Sequence, residues 1–289
     1  MGAASKLKVY NGSSWVEPQS IKRHDGSKWD DVKVSVRNAG GSWFTSYEVA
    51  SGPTYAGVHE DDLLLWVDVG QHITGTNATA ITNDTSFAAG GTYALTGKIR
   101  NGCTYYTGNG GYLDYDGSND YIYFSNTNVI NANTSGQTIM SWIKVDSNHN
   151  GIFFSGDDQS AGFNNADRLW QYKKKSNGTL GCVIWNSTQG NNYQTFYKSG
   201  WSNGTWQLAT TVLSSGNVKS YRNDTLLASD SFTGSFKYAD SDMCFGRQED
   251  NDTTNPFNGK IAHSYLWERS LTDAEVTTMF DLEKGNFGY

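Results

Sequence analysis

Proline and cysteine are both scarce in this chain of 289 residues, at three each. Cys103, Cys182 and Cys244 lie 79 and 62 residues apart, with no C-x-x-C pair. An odd number at such spacings argues against a disulfide framework or a zinc site and for reduced thiols of the kind that proteins bury. Long apolar runs are missing as well. The longest clean one, Leu63-Leu64-Leu65-Trp66-Val67, falls far short of the roughly 20 residues of a membrane-spanning helix, so membrane insertion is not expected. Positive charge is thin: 22 Lys plus Arg face 29 Asp plus Glu, a net charge of −7, and the largest cationic cluster is Lys173-Lys174-Lys175. Neutralising a phosphate backbone takes several convergent cations, so nucleic acid is not an expected partner. The start, Met1-Gly2-Ala3-Ala4-Ser5-Lys6, has no apolar stretch of a secretory leader behind it, which points to folding in a cytoplasm or to a leader already removed.

What is abundant is glycine, at 32 residues, and aromatics, at 14% with 10 Trp and 17 Tyr. With few charges and many turn formers, this profile points to antiparallel β structure. The first fifty residues repeat. Asn11-Gly12-Ser13-Ser14-Trp15, Asp25-Gly26-Ser27-Lys28-Trp29 and Ala39-Gly40-Gly41-Ser42-Trp43 place Gly12, Gly26 and Gly40 at intervals of 14, and Trp15, Trp29 and Trp43 likewise. Asn-Gly and Asp-Gly suit tight hairpin turns because the central residues need positive φ. Stretches such as Val32-Lys33-Val34-Ser35-Val36-Arg37 alternate with the period of a strand. Residues 1–50 are therefore expected to form a module of small β-hairpins. Each offers one Trp to a shared stripe that needs neighbours to bury it, within the chain or from other copies. Residues 51–60 carry Gly and Pro without periodicity and are expected to be a linker.

From residue 61 to 289 the pattern is short strands broken by Asn, Gly, Ser and Asp turns, among them Tyr121–Phe124, Thr138–Val145, Ile152–Phe154 and Leu208–Val212. Strands of this length and spacing predict a β-sandwich or barrel. One helix interrupts them. Thr272-Asp273-Ala274-Glu275 is a capping box, Leu271 and Val276 form its hydrophobic staple, and Val276, Met279 and Phe280 share a face; Gly285 is placed to close it as a left-handed cap.

The segment from Phe257 to Glu275, with Phe257-Asn258-Gly259-Lys260-Ile261 at its start and Arg269-Ser270-Leu271-Thr272-Asp273-Ala274-Glu275 at its end, resembles the closing signature "F-x-G-x-I … R-x-L-[ST]-x-x-E" of LamG-like, concanavalin A-like jelly-roll domains. Leu113–Ile122 resembles the family's "L-x-F-D-G-x-x-D-Y". Gly204-Thr205-Trp206 resembles its "G-x-W". Val218–Leu227 resembles "v-x-l-Y-v-N-G-x-L", with Asp224 in place of the usual Gly. The resemblance covers residues 61–289. It implies an all-β, two-sheet antiparallel jelly-roll sandwich with one short helix near its C-terminal end, preceded here by the hairpin module.

Lys8-Val9-Tyr10-Asn11-Gly12-Ser13-Ser14-Trp15-Val16 resembles the "v-Y-x-G-x-x-W" repeats of bacteriophage virion proteins. Together the two resemblances imply a non-enzymatic virion structural protein: a fibre, a tail-associated or a capsid-decorating component. It would be made in the host cytoplasm and displayed on the virion surface, with other virion proteins and further copies of itself as partners. Trp15, Trp29 and Trp43 would anchor it. The alternative on the same architecture is a host-surface carbohydrate-binding adhesin.

The residues bear differently on three chemistries. A glycosidase on this fold needs two carboxylates about 5–5.5 Å apart for retention, read on a strand as alternating acids; no such strand occurs, and neither do HExxH, GxSxG or a P-loop. No cofactor is required. Calcium is the one metal the residues could serve, through Asp157-Asp158 and through Glu249, Asp250 and Asp252, since it takes six to eight oxygens; solvated acidic turns are the competing reading. For a saccharide, Trp170, Tyr172, Trp185, Asn192, Tyr193 and Tyr197 offer stacking faces beside amide groups. Trp170 and Trp185 read equally as packing between the sheets.

Overall fold

A computed structural model of the chain describes residues 62–82, 85–91, 95–124, 136–157, 168–185, 193–234, 242–248 and 255–289, together with six short strands before residue 48. The chain divides into two compact units, 1–54 and 55–289.

In the first unit the strands form three separate antiparallel ladders. β1 (Val9–Tyr10) pairs with β2 (Trp15–Val16), β3 (Lys22–His24) with β4 (Trp29–Asp31), and β5 (Val34–Arg37) with β6 (Trp43–Tyr47). The registers Tyr10↔Trp15, His24↔Trp29 and Arg37↔Trp43 put each repeated Trp at the start of the second strand of its ladder. The side chains of Trp15, Trp29 and Trp43 lie outside the described residues.

The second unit begins with β7 (Leu63–Asp68), a single helical turn α1 (Val69–His72), β8 (Thr79–Ala80), β9 (Thr85–Ala88), β10 (Thr96–Arg100), β11 (Thr104–Tyr106), β12 (Tyr112–Asp116) and β13 (Tyr121–Phe124). It continues with β14 (Gly136–Val145), β15 (Gly151–Asp157), β16 (Arg168–Lys174), β17 (Leu180–Trp185), β18 (Tyr193–Lys198) and β19 (Trp206–Ser214). β20 (Asn217–Arg222), β21 (Thr225–Ser231), β22 (Asp242–Phe245), β23 (Asn258–Trp267) and helix α2 (Asp273–Glu283) complete it. One sheet has nine strands in the order β21-β20-β19-β14-β23-β12-β11-β8, with β7 pairing the far half of β23; the other has eight, β18-β17-β16-β15-β22-β13-β10-β9. All pairings are antiparallel.

Period-two alternation splits the nine-stranded sheet between two cores. Ile139 and Ile143 of β14 join Leu113, Phe124, Phe154 and Ile184 between the sheets. Met140 and Trp142 face the other way, against Val276, Met279, Phe280 and Phe287. The result is three layers: eight strands, nine strands, and the C-terminal helix on the outside. Cys103, Cys182 and Cys244 are buried and form no disulfide.

The motifs do visible local work. Asp116 Oδ1 accepts the Ser118 amide at 2.7 Å, and Asp120 Oδ2 accepts the Asp116 amide at 3.1 Å, which folds the chain over from β12 in one sheet to β13 in the other. Gly259 sits at φ 152°, where an added Cβ would stand 2.5 Å from the Lys144 carbonyl oxygen. In the Asn223-Asp224 turn the positive φ, 60°, falls on Asn223, so Asp224 needs no glycine-like backbone and the departure from the family pattern is tolerated.

Thr272 and Glu275 form the capping box on α2, and Glu275 also accepts the Arg269 guanidinium on both oxygens. Burial works against ionising Glu275, but the Arg269 bond and the Thr272 amide outweigh it and hold its pKa below the usual range. The helix ends differently from expectation. Lys284–Phe287 continue as a 3-10 turn, and the left-handed residue is Gly288 at φ 87°, not Gly285. The apolar stripe of α2 reaches one turn further in this way, so that Phe287 stacks on Trp142 with ring centroids 4.0 Å apart. No described helix is long and apolar enough to cross a membrane.

Candidate carbohydrate-binding face

Because paired residues of neighbouring strands share a face, the register of the eight-stranded sheet sorts its side chains. Trp170 and Tyr172 of β16, Cys182 and Ile184 of β17 and Phe196 of β18 point into the inter-sheet core. Their neighbours point outward. One outward row crosses all eight strands, Ser86, Lys98, Tyr123, Cys244, Ser155, Gln171, Val183 and Thr195. On its β18 side run two flanking pairs, Trp185↔Tyr193 and Gly181↔Tyr197. The chain leaving β22 folds back over the middle of this face, where the Ser155 hydroxyl donates to the carbonyls of Arg247 (3.0 Å) and Gln248. The open part is β18: Tyr193, Thr195 and Tyr197 stand in line at alternate positions, and Tyr193 is 54% exposed.

This sorting corrects half of the expected saccharide contacts. Trp170 is 3% exposed in the inter-sheet core, edge-on to Phe154, and Tyr172 is buried edge-on to Phe153. Gly156 leaves room for the Trp170 indole, since a Cβ there would lie 3.0 Å from it. Rings so enclosed present no face to a sugar. Trp185 points outward but is also only 3% exposed, its ring 5.6 Å from that of Tyr193. It is the floor beneath Tyr193, belonging neither to the inter-sheet core nor to the open surface. Tyr193 and Tyr197 lie on the same outward side of β18, four residues apart. Lys175 Nζ lies 5.0 Å from the Tyr197 ring centroid, and burial raises the Tyr197 phenol above its ordinary pKa, which keeps it a neutral donor.

Asn192 lies outside the described residues, as do Asp158, Glu249, Asp250, Asp252 and the side chain of Asp157. The backbone of Asp157 closes β15 opposite Asp242 and Arg168. Among the described residues no three His, Cys, Asp or Glu side chains are grouped to hold a metal. Thr195 was missed from the sequence. The signal was available, since it falls midway between Tyr193 and Tyr197 on a strand where alternate residues share a face.

Two stacked antiparallel sheets with Greek-key-like crossovers and an open aromatic edge define a lectin-type β-sandwich. The chain belongs to the concanavalin A-like lectin/glucanase superfamily, whose model matches residues 116–277. Solved structures similar to it include the receptor-binding domain of botulinum neurotoxin C/D mosaic serotype, at 14% identity and TM-score 0.57 over 77% of this chain and 51% of that one. The binding domain of botulinum neurotoxin serotype G matches at 13% identity and TM-score 0.55 over 70% of this chain and 51% of that one. The ligand-binding domain of serotype D, solved in complex with N-acetylneuraminic acid, matches at 14% identity and TM-score 0.54 over 75% and 52%. This chain spans about half the length of those domains, and likeness at this identity is one of fold. None of the curated proteins compared with the chain matches it.

Proposed function

We propose that the second unit is a non-catalytic carbohydrate-binding module and that the chain serves as a host-surface adhesin. The observation that carries this is Tyr193, more than half exposed on the outward face, supported from below by Trp185 and flanked in line by Thr195 and Tyr197. Such a ring offers a stacking face and the neighbouring hydroxyls offer hydrogen bonds, the combination a sugar needs. The complex of a similarly folded domain with N-acetylneuraminic acid is in keeping with this reading. A binding role rather than hydrolysis is favoured because the described row from Ser86 to Thr195 contains no carboxylate, where retaining hydrolysis takes two.

The first unit is proposed to anchor and multimerise the module, on the strength of its three ladders with equivalent tryptophans. Its resemblance to phage virion repeats supports display on a virion surface, with other virion proteins as partners. No cofactor is required by this reading; a calcium requirement would map to Asp157-Asp158 and to Glu249, Asp250 and Asp252.

The test is binding of the labelled full chain to a neutral and acidic glycan panel and to intact bacterial cells, with and without EDTA. Saturable binding that is lost in Tyr193→Ala is the expected result. A folded chain that binds no glycan and no cell overturns the adhesin and leaves a structural virion component.

A further inference from the structure

We infer that the outward side of β18 is an elongated strip whose ligand is a linear oligosaccharide lying along the strand, not a single terminal sugar. The inference rests on the reading that this face receives saccharides, and it names their class.

β18 ends its sheet, hydrogen-bonded to β17. Its side chains divide with period two. Gln194, Phe196 and Lys198 form one set, and all three are taken up by the segment that closes β21 in the other sheet. Gln194 Nε2 donates to the Thr233 carbonyl at 2.9 Å, and its Oε1 accepts the Thr233 amide at 3.3 Å. The Phe196 ring centroid lies 6.5 Å from that of Phe232. Lys198 Nζ lies 2.7 Å from Asp230 Oδ2. Contacts at three alternate positions fasten the strand along its length, so it cannot roll about its own axis. The other set, Tyr193, Thr195 and Tyr197, is thereby committed to the outward side.

That set is reachable from solvent. Tyr193 is 54% exposed, Thr195 is exposed and Tyr197 is half-buried. Opposite Thr195 on β17 stands Val183, and opposite Tyr197 stands Gly181. Neither carries a ring or a long chain that could cover the strip. Each tyrosine is supported by a neighbour: Trp185 lies 5.6 Å from the Tyr193 ring, and Lys175 Nζ lies 5.0 Å from the Tyr197 centroid. Side chains already held in place lose little freedom when a ligand arrives. The Cα atoms of Tyr193 and Tyr197 stand roughly 14 Å apart at about 3.4 Å per residue. One pyranose covers only one end of such a strip. A linear chain of them can stack on Tyr193, hydrogen-bond the Thr195 hydroxyl and reach the Tyr197 phenol, which burial keeps protonated as a donor.

The test is calorimetric titration of the full chain with linear glucose, xylose and N-acetylglucosamine series, from the monosaccharide to the pentasaccharide. This readout needs no variant. The expected result is an affinity that rises about tenfold or more from monosaccharide to trisaccharide in at least one series, the worth of one further stacking or hydroxyl contact. The same series on Thr195→Ala and Tyr197→Ala, each checked for a native melting transition, should show most of that gain lost. Tyr197→Phe, which keeps the ring and loses the hydroxyl, takes the place of Tyr197→Ala if the latter melts early. Equal affinity for monosaccharide and trisaccharide overturns the inference and leaves the carbohydrate reading standing, with a one-ring site at Tyr193. A gain with length that is undiminished in the folded variants also overturns it, since the chain would then run off β18. No glycan binding by a folded chain overturns both readings.

Discussion

His263 Nδ1 lies 2.8 Å from Oε1 of Glu283, and this buried pair ties the central strand β23 to the C-terminal helix α2. Glu283 is 4% exposed and is shared by several donors: the Trp142 indole N–H reaches Oε2 at 2.6 Å and the Tyr265 hydroxyl reaches Oε1. On the other side of the imidazole, Asp68 Oδ1 stands 3.6 Å from Nε2. The helix thus docks through an apolar stripe with one charged residue at its C-terminal end, and the sheet below supplies the partners that residue needs.

Replacing Glu283 by Ala should be among the most damaging single changes in the second unit. It removes one acceptor shared by a buried histidine, a tyrosine hydroxyl and an indole N–H, and breaking a buried pair from one side costs about 3–5 kcal/mol. Glu283→Gln keeps an acceptor and should cost less. Urea denaturation of the two variants against wild type measures both; a loss below about 1 kcal/mol in Glu283→Ala would show that the helix is held by its apolar contacts alone.

The same pair makes stability depend on pH with a definite sign. Burial works against a charged His263, but the Glu283 hydrogen bond and the charges of Glu283 and Asp68 outweigh it and raise the pKa above the ordinary 6.5. A raised folded value means that the contribution is whole below pH 6.5 and fades as pH rises through the folded value. Asp120 acts with the same sign at lower pH, since burial lifts its carboxyl from 3.8 to about 6. His72 and His149, lowered by burial, act with the opposite sign. The differences between proteins isolate each group. The stability gap between wild type and His263→Gln should narrow from pH 6 to pH 8, and that between wild type and Asp120→Asn should shift in Asp120's disfavour from pH 4 to pH 6.5. A His263 gap that widens with pH would contradict the assignment.

Trp170 and Tyr193 should separate stability from binding. Trp170→Ala empties a filled core position and should cost about 3–5 kcal/mol. Tyr193→Ala removes an exposed ring and should change stability by no more than about 0.5 kcal/mol while abolishing saccharide binding. Thermal melts and glycan binding on the same preparations check both, and unchanged binding in Tyr193→Ala would remove β18 from the site.

Much of this architecture is legible in the order of residues, because it depends on local chemistry. Strand β13 coincides with the predicted Tyr121–Phe124, and β14 contains the predicted Thr138–Val145. Trp15, Trp29 and Trp43 each open the second strand of a two-stranded ladder. The capping box at Thr272 forms as its side chains require. The end of the same helix was not legible, since whether Gly285 or Gly288 turns left-handed depends on Phe287 finding Trp142 on a strand far away in sequence.

Alternation tells which residues of a strand travel together, and it does so from sequence alone. It does not tell which of two faces becomes the core. Trp170 and Trp185 look alike as isolated aromatics on neighbouring strands, yet one lies between the sheets and the other beneath Tyr193 on the opposite side. Glu283 continues the stripe of Val276, Met279 and Phe280, so its position was readable as buried, but its partners His263, Tyr265 and Trp142 come from β23 and β14. Arg247 belongs to the same class, a buried charge stacked on Tyr121 of another strand. Secondary structure follows from backbone and neighbour chemistry and is therefore local; the facing of each strand, and with it the site, follows from which surfaces exclude water together, and only the folded sandwich decides that.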